Sequence, residues 1–165
     1  MTFNRLIKVG ISLFLLFGMH SAVSQQSKFH ALFLSKFSEN VSWPNPIEES
    51  VIGVLGKSEV LTHLNDFSKL RNNMKVISIS GSSDLSQCNI LYVTASQKEK
   101  LGEFAQVIRD NHILVVSETD QNVGSGSDIG FFLEQGKLRF LVSKSSLDSK
   151  GLVMGSNLLG RGKIQ

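Results

Sequence analysis

The chain has very few residues that could crosslink or stiffen it. Cys88 is the single cysteine, and Pro44 and Pro46 are the two prolines among 165 residues. One cysteine excludes an internal disulfide. Two interpretations of Cys88 stay open, a small buried hydrophobic side chain or a redox-active thiol that reacts with another chain. A chain of this length can bury one hydrophobic core without crosslinks, so a single globular domain is expected.

Long hydrophobic runs are also missing. A membrane-spanning helix needs roughly 20 apolar residues, whereas the longest run, residues 9–19, has eleven. Arg5 and Lys8 precede this run and small residues follow it, which is the order of a secretory signal peptide. We therefore predict that residues 1–24 are cleaved off during export. Residues 25–165 would then form a periplasmic domain that does not insert into the membrane.

Neither sign of charge dominates once this leader is set aside. The formal charge is +3, from 17 basic and 14 acidic residues, and Arg5 and Lys8 belong to the leader. The exported domain is therefore close to neutral, and it has no basic cluster with interleaved aromatic residues. Nucleic-acid-binding proteins usually carry a basic patch, so we do not expect nucleic acid to be a partner.

The motifs of familiar catalytic and metal sites are absent. Gly56-Lys57-Ser58 is similar to the end of a phosphate-binding P-loop, but that motif requires a second glycine at position 51, which is valine. No Gly-x-Ser-x-Gly nucleophile elbow occurs. The three histidines beyond the leader have no partner at the spacing of a zinc site; they are His30, His63 and His112. We therefore predict a protein that is not an enzyme and that uses no metal or cofactor.

The spacing of apolar residues predicts alternating helices and strands. Residues 28–42 carry apolar side chains at spacings of three and four, which is typical of an amphipathic helix that Trp43-Pro44 ends. Ser58 and Ser96 are placed to begin two more helices, the second with a capping box. Strands that alternate with helices indicate βαβ units and a parallel sheet. Short apolar runs predict strands at 51–55, 74–79, 90–93 and 112–116.

A hairpin near the C-terminus makes the predicted sheet a mixed one. Two apolar strands, 129–133 and 137–142, flank the turn sequence Glu134-Gln135-Gly136. We predict one α/β domain with a mixed, mostly parallel sheet, helices on both faces and a C-terminal β-hairpin. The segments predicted after the hairpin are a helix closed by Gly151, a strand at Val153-Met154, a helical turn at 156–159 and a frayed end at 160–162.

Several segments, taken in order, resemble the YfiR family. Each segment alone is a weak motif, but their order and spacing are fairly specific. The likeness covers about residues 30–159, nearly all of the exported domain. The similar segments are the helix 31–37 leading to Trp43-Pro44, the strand 51–56 with its closing glycine, the Cys-bearing strand 87–93, the strand 113–117, and the closing segments 136–140 and 151–159.

The resemblance implies a periplasmic repressor with an α/β fold that forms a homodimer. Proteins of the YfiR type bind the periplasmic part of an inner-membrane diguanylate cyclase and keep cyclic di-GMP low. Envelope stress or a redox change lifts the repression and favours biofilm. Three features depart from the family pattern. Cys88 has no partner for an internal disulfide switch, Ser143 stands where the family has asparagine, and the loop Gly124-Ser125-Gly126 replaces a glycine pair.

A regulator that binds a protein partner needs an exposed apolar patch. The candidate partner-binding residues are Trp43, Phe131, Leu133 and Arg139, near the end of the first helix and in the hairpin. Tryptophan is enriched at binding hot spots, but a ring packed under its own loop is the alternative for Trp43. Core or strand packing is the alternative for the phenylalanine and the leucine.

A periplasmic protein that binds a small molecule, without a cyclase partner, is the second functional hypothesis. In a sheet with helices on both faces, ligands bind in the crevice at the carboxyl ends of the strands. In this sequence the crevice is expected near Gly56, Lys57 and Ser58 and near the segment Thr94 to Ser96. A pocket there with converging polar groups would favour this hypothesis.

Overall fold

The structure, a computed structural model, describes residues 24–165. The predicted signal peptide therefore lies outside the described residues, except for Ser24, and its cleavage stays a prediction. The described part contains a two-stranded sheet and a seven-stranded sheet. Its strands are β1 (Val41–Ser42), β2 (Ser50–Leu55), β3 (Met74–Ile79), β4 (Ile90–Val93), β5 (Leu114–Ser117), β6 (Ile129–Glu134), β7 (Lys137–Val142), β8 (Val153–Met154) and β9 (Lys163–Ile164).

The large sheet has the strand order β3-β2-β4-β5-β6-β7-β9. Strands β2 to β6 run parallel to their neighbours, β7 is antiparallel to β6, and β9 is parallel to β7. The predicted mixed, mostly parallel sheet with a C-terminal hairpin is thus confirmed. The first parallel strand, β2, lies inside the sheet between β3 and β4, so the direction of winding reverses between β2 and β4.

Helices cover both faces of this sheet, as predicted. They are α1 (residues 24–40), α2 (Val60–Ser68), α3 (Ser82–Leu85), α4 (Leu101–Asp110), α5 (Lys144–Ser149) and α6 (Ser156–Leu159). Helices α1, α2, α5 and α6 contribute buried residues to one core, and α3 and α4 to the other.

Two cores arise because successive side chains of a strand point to opposite faces of the sheet. In β4, Ile90 and Tyr92 belong to the core on the α1 side, whereas Leu91 and Val93 belong to the core on the α4 side. All four are buried, which explains why the central strands are continuous apolar runs.

The first helix ends two residues earlier than predicted. Residues 41 and 42 leave the helix because β1 pairs antiparallel with β8, Val41 opposite Met154 and Ser42 opposite Val153. Sequence periodicity could not reveal this pairing, since the partner strand lies more than a hundred residues away. The predicted strand at Val153-Met154 is confirmed.

The predicted capping box at Ser96 is wrong. Residues Ala95–Lys100 form a 3₁₀ helix that precedes α4, and no side chain caps it. The Ser96 hydroxyl lies 3.1 Å from the Thr94 hydroxyl instead. Thr94 in turn donates to the Leu55 carbonyl. This bond ties the segment to the carboxyl ends of β2 and β4, and an α-helix begins only at Leu101.

His112 does not begin a strand, in contrast to the prediction. It follows the C-terminal end of α4 with a φ of 51°, in the left-handed region, and the Ile113 N–H donates back to the Ile108 carbonyl. This is the hydrogen bond of a Schellman helix end. The His112 Nδ1 lies 2.8 Å from the Lys150 carbonyl, so the imidazole ties this helix end to the end of α5, and β5 starts only at Leu114.

The hairpin β6–β7 is closed by the two residues Gln135 and Gly136. Both have positive φ, 51° and 73°, as a type I′ turn requires, and the register places Glu134 opposite Lys137. The predicted frayed end at residues 160–162 is instead a turn, which leads into β9 at the sheet edge beside β7. Gly162 is needed there, since a Cβ atom would lie 2.4 Å from the Phe140 ring.

A buried ion pair holds α5 against the strands. Asp128 is fully buried and its Oδ2 accepts from the Val115 N–H at 2.7 Å and from the Lys150 ammonium at 2.6 Å. Its Oδ1 accepts from the Ser146 hydroxyl. Lys150 also donates to the Ile113 carbonyl at 2.9 Å. The carboxylate therefore links β5, the start of β6 and both ends of α5.

Replacing Asp128 by asparagine should destabilise the fold by about 3 kcal/mol, because the Lys150 charge would stay buried without its counter-charge. Urea unfolding followed by circular dichroism measures this loss. The control is Asp148→Asn, which breaks the exposed pair with Lys144 and should cost under about 0.5 kcal/mol. Equal losses in the two variants would contradict the assigned role of Asp128.

Candidate functional site

An apolar groove lies between α1 and the β6–β7 hairpin. It has a volume of about 560 Å³ and is lined by Phe29 and Phe33 of α1 and by Leu133 and Leu138 of the hairpin, with Gln25, Gln26, Gly136 and Lys137 at its edge. Phe29 and Leu133 are 43% and 60% exposed. Leu32, one turn along the helix from Phe29, is also exposed. We call these residues, Phe29, Leu32, Phe33, Leu133 and Leu138, the α1–hairpin surface.

Three of the seven large exposed hydrophobic side chains between residues 24 and 165 lie together on this surface. Phe29, Leu32 and Leu133 belong to it, whereas the other large exposed hydrophobic residues between 24 and 165 are scattered singly; these are Ile47, Leu70, Val153 and Ile164. Single exposed leucines are normal, but a group of them next to a groove is typical of an interaction site.

Only one of the four predicted partner-binding residues lies on the α1–hairpin surface. That residue is Leu133. Phe131 points to the same face of β6, but it is 2% exposed because α1 covers it. It packs among aromatic rings, stacked on the His30 imidazole with ring centroids 4.3 Å apart. For Phe131 the structure thus shows the packing alternative.

Arg139 lies on the opposite face of the hairpin. It is paired with Phe132 in the strand register, one residue out of phase with Leu133. Its guanidinium lies 3.8 Å from the Glu134 carboxylate, which Lys163 also contacts. Lys163 holds the pKa of Glu134 below its usual value. Arg139 therefore belongs to an exposed charge cluster rather than to the groove.

Trp43 lies just beyond β1, half-buried against the core on the α1 side. Its indole Nε1 is buried and has no hydrogen-bond partner within residues 24–165. The ring thus packs mainly against the core under its own loop, which is the packing alternative. It does not lie next to Leu133 in the groove.

A buried histidine lies directly beneath the α1–hairpin surface. His30 is 2% exposed, and its Nδ1 lies 2.9 Å from the Tyr92 hydroxyl of β4. Burial lowers the pKa of His30 from 6.5 to about 4, since it disfavours the charged imidazolium. Burial also raises the pKa of Tyr92 above its usual range. Sequence reasoning missed this pair, because the two residues are 62 positions apart.

The predicted crevice at the strand ends exists. It has a volume of about 430 Å³ and lies where β2, β3 and β4 end, next to the point where the winding reverses. Gly56, Lys57 and Ser96 line it, as the sequence suggested, together with Ser78, Ser80, Gln97 and Lys100. Thr94 is buried and holds the loop instead of facing the crevice.

The single cysteine is buried on the α4 side of the sheet. Cys88 is 3% exposed, and its Sγ faces Gly53 so closely that a Cβ there would lie 2.5 Å away. Burial, with a smaller effect from Asp84, raises the pKa of the thiol to about 12. A thiol in this state is not nucleophilic at neutral pH.

Nothing in the described residues assembles a metal or membrane site. No group of three or more metal-binding side chains occurs between residues 24 and 165. In the same part of the chain, no helix combines the length and the apolar character needed to cross a bilayer. His30 is buried, although its sequence position suggests a surface or boundary residue, and His112 lies at a helix end.

A family model described as YfiR/HmsC-like matches residues 27–162. The chain belongs to the YfiR/HmsC-like family. This family is periplasmic, regulatory and non-catalytic. The match covers every helix and strand described above except β9 and the first three residues of α1. A search of curated proteins finds no match.

Solved structures share the fold at low sequence identity. A conserved domain protein from Vibrio cholerae matches with a TM-score of 0.60 at 12% identity, over 84% of this chain and 59% of that one. An ABC domain from Streptococcus pneumoniae, in complex with L-Trp, matches with a TM-score of 0.50 at 10% identity, over 70% and 55%. This chain thus spans less than two thirds of these structures, and the likeness concerns the fold alone.

Protonation of His30 should destabilise the fold as the pH falls. The unfolded chain takes up this proton below pH 6.5, whereas the folded chain does so only near pH 4. The contribution of neutral His30 to the free energy of unfolding is therefore fully present above pH 6.5. It falls between pH 6.5 and 4, and the total loss below both pKa values is about 3 kcal/mol. His30→Gln should flatten this part of the pH dependence, measured as urea midpoints between pH 7 and 4.5.

The control for this measurement is His63→Gln on α2, which should keep the full dependence of the parent protein. A His30→Gln profile as steep as that of the parent would show that other groups cause the acid sensitivity.

Cys88 should resist modification in the folded protein. At pH 8 the buried thiol is protonated and shielded, so iodoacetamide should react at least about tenfold more slowly than with the urea-unfolded chain, because only the thiolate attacks. Mass spectrometry of timed samples measures the rate. Rapid alkylation of the native protein would instead support the redox hypothesis for this cysteine.

Proposed function

We propose that this protein binds the periplasmic part of an inner-membrane diguanylate cyclase and represses it, which lowers cyclic di-GMP. In this proposal the chain is exported by its cleaved signal peptide and acts as a homodimer. Membership of a periplasmic, regulatory family supports the coarse role. The α1–hairpin surface supports the specific role, binding of a protein partner, because it offers that partner an exposed apolar site.

The α1–hairpin surface has the composition of a binding hot spot. Its rim is polar, since Gln25, Gln26 and Lys137 line the edge of the groove and Lys28 is exposed beside Phe29. An apolar centre within a polar rim is the usual anatomy of a protein interface. Lys28 favours a cyclase segment that presents an apolar anchor next to an acidic side chain.

A periplasmic sensor of small molecules, without a cyclase partner, is the second candidate function. The observation that favours it is the crevice at the ends of β2, β3 and β4, which converging polar side chains line. The two functions differ in where substitutions act. Changes on the α1–hairpin surface impair the first function, and changes in the crevice impair the second.

Leu133→Glu should abolish repression while leaving the domain folded, because it places a charge at the centre of an apolar contact but replaces a side chain that is 60% exposed. The measurement is cyclic di-GMP in cells that lack the gene and carry either the parent gene or the variant. We expect the deletion to raise cyclic di-GMP, the parent gene to restore it, and the variant to leave it high.

The matched control is Leu70→Glu, since Leu70 is 84% exposed and lies after α2, away from the groove. It should restore the low level like the parent gene. A deletion that leaves cyclic di-GMP unchanged, at rest and under envelope stress, would overturn the proposed repression and favour the sensor.

A further inference from the structure

We propose that the crevice at the carboxyl ends of β2, β3 and β4 is a binding site for a small oxyanion, a solute that carries a phosphate or carboxylate group. The site is independent of the cyclase partner and lies away from the α1–hairpin surface. Its volume of about 430 Å³ falls within the size range of small-molecule pockets.

The topology places the crevice where open α/β sheets bind their ligands. The winding reverses between β2 and β4, so the loops that follow these two strands diverge to opposite faces and leave a gap between them. Gly56 and Lys57 come from the first loop, and Ser96, Gln97 and Lys100 from the second. The end of β3 closes the third side.

The charge of the lining selects an anion. Lys57 and Lys100 line the crevice, while the remaining polar groups are serine hydroxyls and one amide, and no acidic side chain is among them. Neither lysine forms an ion pair within residues 24–165. The larger cleft between α4 and α5 differs, because Glu99 joins its basic residues.

Gly56 lets the first loop lie very close to the end of β4. Gly56 has a φ of 103°, and a Cβ atom there would lie 2.1 Å from the Thr94 hydroxyl. The glycine thus allows the loop to lie flat against the end of β4. The N–H groups of Lys57 and Ser58 donate to no acceptor within the described residues, so both donors are free for a ligand.

The test is a titration of the purified protein, expressed from the full-length gene, with inorganic phosphate and separately with acetate. Amide shifts in ¹H–¹⁵N spectra are followed, with sodium chloride at matched ionic strength as the blank. We expect saturable shifts at Gly56, Lys57 and Ser96 with at least one of the two anions. Saturation by phosphate alone identifies a phosphate-bearing ligand class, and saturation by acetate a carboxylate-bearing one.

Lys57→Gln and Lys100→Gln should each weaken binding about tenfold, because each removes a charge-assisted hydrogen bond. The matched control is Lys75→Gln, which removes an exposed lysine from the opposite end of β3 and should leave the affinity unchanged. The proposal is overturned if both anions merely reproduce the chloride blank, or if Lys75→Gln weakens binding as much. The titration does not measure cyclic di-GMP, so anion binding can succeed or fail independently of the proposed repression.

Discussion

Helix α1 packs on the aromatic side chains of the β6–β7 hairpin, and the candidate partner surface depends on this contact. Phe37 meets Phe140 edge to face at 5.3 Å, Phe33 meets the same ring at 5.4 Å, and His30 stacks on Phe131. Such ring pairs stabilise beyond the area they bury. The contact removes Phe131 from solvent but leaves Phe29 and Leu133 at its outer edge, so one packing arrangement both completes the core and creates the exposed groove.

The same contact places a buried polar pair beneath the groove. His30 of α1 is 2% exposed, and its Nδ1 lies 2.9 Å from the Tyr92 hydroxyl of β4. The pair thus joins α1 to a central strand of the large sheet, across the core on the α1 side.

Periodicity and turn chemistry predicted the fold class, the strands and the hairpin, because those features depend on local sequence. The crevice followed from the expectation of a sheet with helices on both faces, and Leu133 from its place in the predicted hairpin. Most of the errors lie where distant residues decide the structure. Pairing with β8 shortens α1, the addition of β9 orders the expected frayed end, and α1 buries Phe131. Arg139 was grouped with Leu133 although strand alternation places them on opposite faces.

Two buried contacts were missed altogether. The His30–Tyr92 hydrogen bond and the Asp128–Lys150 ion pair join residues far apart in sequence, so no local pattern indicates them.

Photo-crosslinking in living cells tests whether Leu133 contacts a diguanylate cyclase. A photoreactive amino acid is placed at Leu133 and, in a second strain, at Leu70, and the adducts are identified by mass spectrometry. We expect an adduct between position 133 and an inner-membrane protein that carries a diguanylate cyclase domain, with no such adduct from position 70. Adducts from position 133 only to a second copy of this chain, or equal yields of the cyclase adduct from both positions, would contradict it.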